Sequence, residues 1–337
     1  MKSIKLQDDL FLVGYSKENK NIVMASFAAH LAMGNTILCK AIRSKTIEQY
    51  LLAVISLYRT HGYENPMLDS STKRSSLIND IILEQKRWEE KPNRREPLTW
   101  PMIEYIQKSN TRNSTHKSSL QNAILDWFII GMYTGQRLSE WAQEKGKILA
   151  KNRDGRPTAF IPSDINFLDK RGAFIDDPLR DTNNIYSVNV QWRSQKNGVN
   201  GEIITFSRNK NNSRCPVLAF LRVIQRSSDL LKSKAKSSPL SVYKNENCEV
   251  KYIRDTDIEF YLRLAAKNVY NIHKLDHLKK WSAHSIRVGA CVALHEQGFS
   301  GIDIRHRLRW RSDTFLDYLR NTIKLAEKHS AAHENEV

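Results

Sequence analysis

Cysteine is scarce in this 337-residue chain, with only Cys39, Cys215, Cys248 and Cys291. No pair has the spacing of a zinc site or a redox motif, so free, reduced thiols in an intracellular compartment are expected. No apolar run is long enough to span a membrane. The opening MKSIKLQDDLFLVGY carries acids early and lacks the apolar stretch of a signal peptide, and a transit peptide is not expected there either. There is no glycine-rich phosphate loop, no carboxylate cluster suited to Mg²⁺, no internal repeat and no extended low-complexity segment. These absences argue against a disulfide-stapled secreted domain, a membrane protein and a repeat array.

Positive charge is abundant. With 53 Lys+Arg against 36 Asp+Glu the formal charge is +17, and 40% of the residues are apolar, enough for packed cores. Such an excess suits either a polyanion partner, whose counterions are released on binding, or simply a solvated basic surface. The length suggests two domains. EEKPNRREPLTWP (89–101), with three prolines and mixed charge, is the expected boundary. Residues 1–96 hold 15 Lys+Arg and 11 Asp+Glu, a net of +4; the remaining 38 and 25 leave +13 for the second part.

Periodicity predicts helical structure over 22–60, with Ile22, Val23, Phe27, Ala28 and Leu31 in one stripe and Ile47, Leu51, Leu52, Val54, Ile55 and Tyr58 in the next. A further helix is predicted from Leu77 to Trp88. Between Thr99 and Lys145 the pattern is again helical; Leu125, Phe128, Ile129 and Met132 form one apolar face. Val188, Val190 and Trp192 then alternate with Asn189, Gln191 and Arg193, the period of a strand. NGVNG (197–201) reads as a hairpin turn and Glu202–Phe206 as the returning strand. After Pro216 the chain is predicted to be mostly helical, with KSKAKSSP (232–239) a surface loop. The fold class expected is therefore mainly α with a small antiparallel β-sheet.

Three short stretches carry the chemistry. In TGQRLSE (134–140), Gly135 suits a helix end and Arg137 offers a guanidinium that forks onto two phosphate oxygens. Glu140 lies three residues on, placed to orient Arg137 or to bond a nearby histidine; the bland alternative is a surface ion pair. In HSIR (284–287), His284 and Arg287 share one helical face at the start of a largely apolar helix, which Gly298 stops. In RWRSDTFLDY (309–318), Ser312 or Asp313 suits an N-cap, Phe315, Leu316, Leu319 and Ile323 form a buried stripe, and Tyr318 falls at its edge. Taken singly, Trp310 and Tyr318 would read as core residues.

In order and spacing the set resembles the tyrosine recombinases, the phage-integrase-like family, whose members carry Arg, Lys, His-x-x-Arg, His or Trp, then Tyr. These match Arg137, Lys196, His284, Arg287, Trp310 and Tyr318. Lys196, in RSQKNG after the Val188–Arg193 strand, fits the family's hairpin lysine; Lys210 in SRNKNNSR is the alternative. The Trp310–Tyr318 gap is one residue shorter than in many members, a trait of subfamilies ending in an RWxSDxFLxYxR-like motif. The resemblance spans roughly residues 125–323, and over the N-terminal helices it is architectural only.

The resemblance implies a helical DNA core-binding domain over 1–95 and a mixed α/β catalytic domain over 96–337, clamping duplex DNA from two faces. It implies cleavage through a covalent 3′-phosphotyrosine on Tyr318, with Arg137, Arg287 and Trp310 on the phosphate, His284 aiding proton transfer or phosphate binding, and Lys196 protonating the 5′-oxygen. It also implies a homotetramer on DNA, the segment 324–337 being a candidate for exchange between protomers, and integration or recombination of a mobile element. No cofactor, metal or membrane is expected. A type IB topoisomerase-like enzyme and an inactive DNA-binding relative are the alternatives.

Overall fold

The computed structural model describes residues 10–35, 41–90, 94–112, 117–143, 151, 155–195, 198–319, 326–327 and 330–331. The chain divides into two compact units, Met1–Pro92 and Asn93–Val337.

Among the described residues the first unit clusters three helices: α1 (Lys17–Ala32), α2 (Ser44–Thr60) and α3 (Ser76–Trp88). Ser16 caps α1 by accepting the N–H of Asn19. Much of the predicted stripes packs here: Ala28 and Leu31 meet Ile47 and Leu51, joined by Met24, Ile78 and Ile82. Ile22 and Leu52 are exceptions, each more than half exposed, because they fall on the outer faces of α1 and α2. Glu89 accepts the backbone N–H of Ser44, and Gln85 donates to the Ile42 carbonyl at 3.0 Å, so the end of α3 satisfies groups at the start of α2.

The second unit has its own core around α5 (Leu120–Thr134), which is buried along nearly its whole length. Around it lie α4 (Trp100–Arg112), α6 (Pro216–Leu231), α7 (Asp255–Val269), the short α8 (Leu275–Leu278), α9 (Ser285–Glu296) and α10 (Gly301–Arg307). Two glycines bring α9 in close. A Cβ on Gly131 would sit 2.3 Å from Cγ2 of Ile286, and one on Gly289 would sit 2.2 Å from the Leu98 carbonyl oxygen. Neither position tolerates a side chain without movement.

The hairpin forms with β2 (Ser187–Trp192) and β3 (Glu202–Ser207), pairing Val188 with Phe206 and Val190 with Ile204. Its inward residues Val188, Val190 and Trp192 are buried, as the alternation requires. Beyond the predicted pair, β1 (Ile165–Leu168) adds to the β2 edge, and β4 (Val242–Lys244) with β5 (Val250–Tyr252) forms a second antiparallel sheet. Strands of three or four residues hold too few alternations to show a period, so sequence pattern misses them. Residues 232–237 wind into a 3₁₀ turn at the predicted loop. Trp127 stacks on Trp141 and Phe160 at centroid separations of 5.0 and 6.4 Å, and Phe160 meets Trp192 edge-on at 5.6 Å, joining α5 to the sheet. Each such pair adds roughly 0.5–1.5 kcal/mol beyond burial. Among the described residues the chain is thus mainly α-helical with two small antiparallel sheets.

Candidate active site

The site begins where α5 ends. Gly135 caps the helix at φ +53°, donating its N–H to the Gly131 carbonyl at 2.9 Å. Arg137 follows in extended backbone and opens a 3₁₀ turn, Leu138–Glu140, in place of an α-helix. That tight turn folds Glu140 back onto Arg137. One carboxylate oxygen accepts the Arg137 guanidinium at 3.0 Å and the other its backbone N–H at 2.9 Å. Glu140 therefore orients Arg137, the first of the two expected roles; its remaining bonds go to Trp192 and Arg309, at 3.3 and 3.1 Å.

Helix α9 supplies the second arm. His284 stands at its N-cap position and Arg287 one turn in. Arg287 is buried, donates to the Gly135 carbonyl at 2.6 Å, and lies 4.1 Å from the Trp310 ring centroid. Burial, then the nearby Arg137, push the Arg287 pKa down to about 9. The site thus penalises its own positive charge, a cost that a bound anion would relieve.

The third arm differs from expectation. Residues Asp313–Tyr318 form a 3₁₀ turn, not an α-helix, and Ser312 sits at its N-cap position. In a 3₁₀ turn residues three apart eclipse one another. Phe315 and Tyr318 both reach Trp310, with centroids at 6.3 and 5.0 Å, while Leu316 faces outward and leaves the predicted stripe. Ile323 lies outside the described residues.

Tyr318 and His284, 34 positions apart, are joined by a 2.8 Å bond between the phenol oxygen and Nε2. Partial burial, then Arg287, Arg95 and Arg137, pull the His284 pKa down to about 4, although its side chain keeps an exposed edge. Burial raises the Tyr318 pKa despite the opposing pull of Arg287 and Arg137. At neutral pH the pair is therefore a protonated phenol beside a neutral imidazole. Arg137, His284, Arg287, Trp310 and Tyr318 line one cavity of about 720 Å³, which Arg95 and Arg311 also enter. Asp255 and Glu259 stand on its wall. Trp310 Nε1 is buried and has no hydrogen-bond partner among the described residues.

Lys196 lies outside the described residues. Lys210, the alternative, is exposed beyond β3 and does not line the cavity. Among the described residues no group of His, Cys, Asp and Glu is arranged to hold a metal ion, and no helix is long and apolar enough to cross a membrane.

No protein-family model and no curated protein matches this chain. Among solved structures, the integrase of transposon Tn1549 in complex with transposon right-end DNA superposes over 95% of this chain and 86% of that one, with 15% identity and a TM-score of 0.50. This chain has the tyrosine recombinase fold. The XerH site-specific recombinase bound to palindromic difH substrate covers 96% of this chain and 74% of its own, at 12% identity and a TM-score of 0.49.

Within this recombinase fold, two buried residues escaped the sequence reading. Arg309 is buried behind Glu140, and Gln136, on the cavity lining, presents a buried amide nitrogen with no hydrogen-bond partner among the described residues. Arg309 alternates with Arg305, Arg307 and Arg311, so in sequence it looks like one member of a solvated charge run. Nothing local distinguishes the inward arginine from its neighbours.

Proposed function

We propose that this chain is a site-specific DNA recombinase or integrase, cutting and rejoining DNA through a covalent 3′-phosphotyrosine. One observation carries the reading: a phenol bonded to an imidazole inside a cavity lined by four arginines, Arg95, Arg137, Arg287 and Arg311, against two acids, Asp255 and Glu259. A phosphodiester supplies the missing anion. Arg137, Arg287 and the free indole N–H of Trp310 would hold its non-bridging oxygens and stabilise the charge that builds there. Tyr318 would attack phosphorus as its proton passes to Nε2 of His284. A bond forms between the phenol oxygen and phosphorus, and the bond from phosphorus to the 5′-oxygen breaks. The departing 5′-oxygen takes a proton, a role the family resemblance assigns to Lys196. The phosphotyrosine keeps the energy of the original linkage for rejoining.

Duplex DNA is the proposed partner, with residues 1–95 as a core-binding domain and 96–337 as the catalytic domain, four copies assembling on two sites. The Tn1549 integrase was solved with DNA, which supports this choice.

The test is a nicked suicide substrate, built from the DNA flanking the gene and resolved on a denaturing gel. Wild type is expected to give a protein–DNA adduct joined through the DNA 3′ end. Tyr318→Phe removes the attacking oxygen and is expected to give none, with folding and DNA binding retained. An adduct that survives in this variant, or maps to Tyr261 or Tyr270, would overturn the assignment. Relaxation of supercoiled DNA without exchange between duplexes would favour a topoisomerase-like enzyme instead.

A further inference from the structure

Arg309 has no role in the chemistry above, yet three partners hold it: the Thr134 carbonyl, Glu140 and the Trp192 ring. Its side chain is fully buried and its backbone is left-handed, at φ +56°. A non-glycine residue is strained there, at a cost of about 1 kcal/mol or more. The guanidinium donates to the Thr134 carbonyl at 2.9 Å and to Glu140 Oε2 at 3.1 Å, and lies 3.5 Å from the Trp192 ring centroid. Trp192 in turn donates its indole N–H to the same Glu140 oxygen. Burial lowers the Arg309 pKa to about 10, with Glu140 opposing. A buried ion pair contributes little net stability as a rule. Strain, burial and a costly charge kept together at one position call for another explanation.

The arrangement of donors around Glu140 supplies it. That carboxylate serves two arginines: Arg137, which faces the cavity, and Arg309, which does not. With Arg309 absent, the single buried carboxylate would be matched by Arg137 alone and would draw that guanidinium inward, neutralising it. With Arg309 present, Glu140 is compensated from behind, and Arg137 is aimed without being spent. We infer that Arg309 is a positioning residue that shares Glu140 with Arg137 and leaves the Arg137 charge available to an anion in the cavity. This rests on the proposed reading of the site as a phosphodiester-cleaving centre.

The experiment is a double-mutant cycle on the nicked suicide substrate, using the full chain. Wild type, Arg309→Met, Glu140→Gln and the double variant are compared for duplex affinity and for single-turnover cleavage at saturating DNA. Circular dichroism and melting confirm that each is folded. Arg309→Met is expected to slow cleavage by about 10–100-fold, the usual cost of removing a supporting partner behind a reactive group. Duplex affinity should stay within about twofold, because a distant, buried side chain adds little to the binding surface. Removing Glu140 as well removes the carboxylate that would capture Arg137, so the double variant should lose less than the product of the two single losses. Arg309→Lys keeps the charge without the planar fork and should recover part of the rate. If Arg309→Met does not fold, Arg309→Lys takes its place in the cycle.

A folded Arg309 variant that cleaves at the wild-type rate would overturn the inference, as would a loss confined to affinity or two losses that simply multiply. A wild type that forms no adduct would instead sink the reading of the site, and the positioning role with it.

Discussion

At the scale of single residues, the pairing of Tyr318 with His284 sets the pH behaviour. A histidine whose pKa is depressed toward 4 is neutral, and able to accept a proton, throughout the neutral range. The sign follows directly: cleavage should hold its rate from neutral pH downward past 6.5 and fall only as His284 protonates below that value. Single-turnover rates between pH 4.5 and 8 would check this; an acidic limb centred at or above 6.5 would contradict the environment described. His284→Ala should remove the acidic limb and lower the plateau by about 10²–10⁴-fold, the range for losing a positioned acid or base. Arg137→Ala or Arg287→Ala leaves the nucleophile but removes charge stabilisation. Each should cost roughly 10²–10³-fold in single-turnover cleavage, as for deletion of one oxyanion donor.

At the scale of elements, the site depends on how closely α9 approaches its neighbours. Two glycines allow that approach, and they should not respond alike. Alanine gains up to about 1 kcal/mol over glycine in a helix interior. Against this stands overpacking, about 1–3 kcal/mol or more where nothing yields. At Gly131 the obstacle is the Ile286 methyl, on a side chain that is branched, stiff and fully buried. At Gly289 it is the backbone of Leu98, whose N–H donates to the Ser285 carbonyl at 2.9 Å. Backbone cannot rotate away as a side chain can. Gly289→Ala should therefore be the more destabilising, by about 2 kcal/mol or more, and Gly131→Ala milder. Urea denaturation of both variants would rank them; a neutral Gly289→Ala would mean that α9 is held less closely than described.

On the scale of the whole molecule, charge and domain structure govern behaviour. If the basic second unit binds through phosphates, duplex affinity should fall steeply with salt, by about 0.9 in log K per log unit of salt for each phosphate neutralised. A titration between 50 and 200 mM salt, concentrations over which such contacts weaken markedly, would show it; salt-independent binding would count against a phosphate-dominated interface. The two units also hold separate hydrophobic cores, one built on α1–α3 and the other on α5. A fragment of residues 93–337 should accordingly fold by itself and melt cooperatively. A fragment with no cooperative transition would show that the second core depends on the first unit.

What the sequence determined by itself was whatever is written in short-range pattern. Helical stripes in α1, α2 and α5 and the alternation of β2 report which face is buried, because burial and backbone period act on neighbours three, four or two residues apart. His284 and Arg287 shared a face for the same reason. Tertiary structure alone decided the rest. The 3₁₀ turn at Asp313–Tyr318 depends on Phe315 and Tyr318 both finding Trp310. Strands β1, β4 and β5 are too short to carry a period and exist through their partners. The choice of Glu140 between an arginine and a histidine, and the inward turn of Arg309 among outward arginines, rest on groups 52 and 169 positions from Glu140. A charge run looks the same in sequence whichever member turns inward; only the low-dielectric interior, with one carboxylate and two helix-end carbonyls to satisfy, selects which arginines are buried.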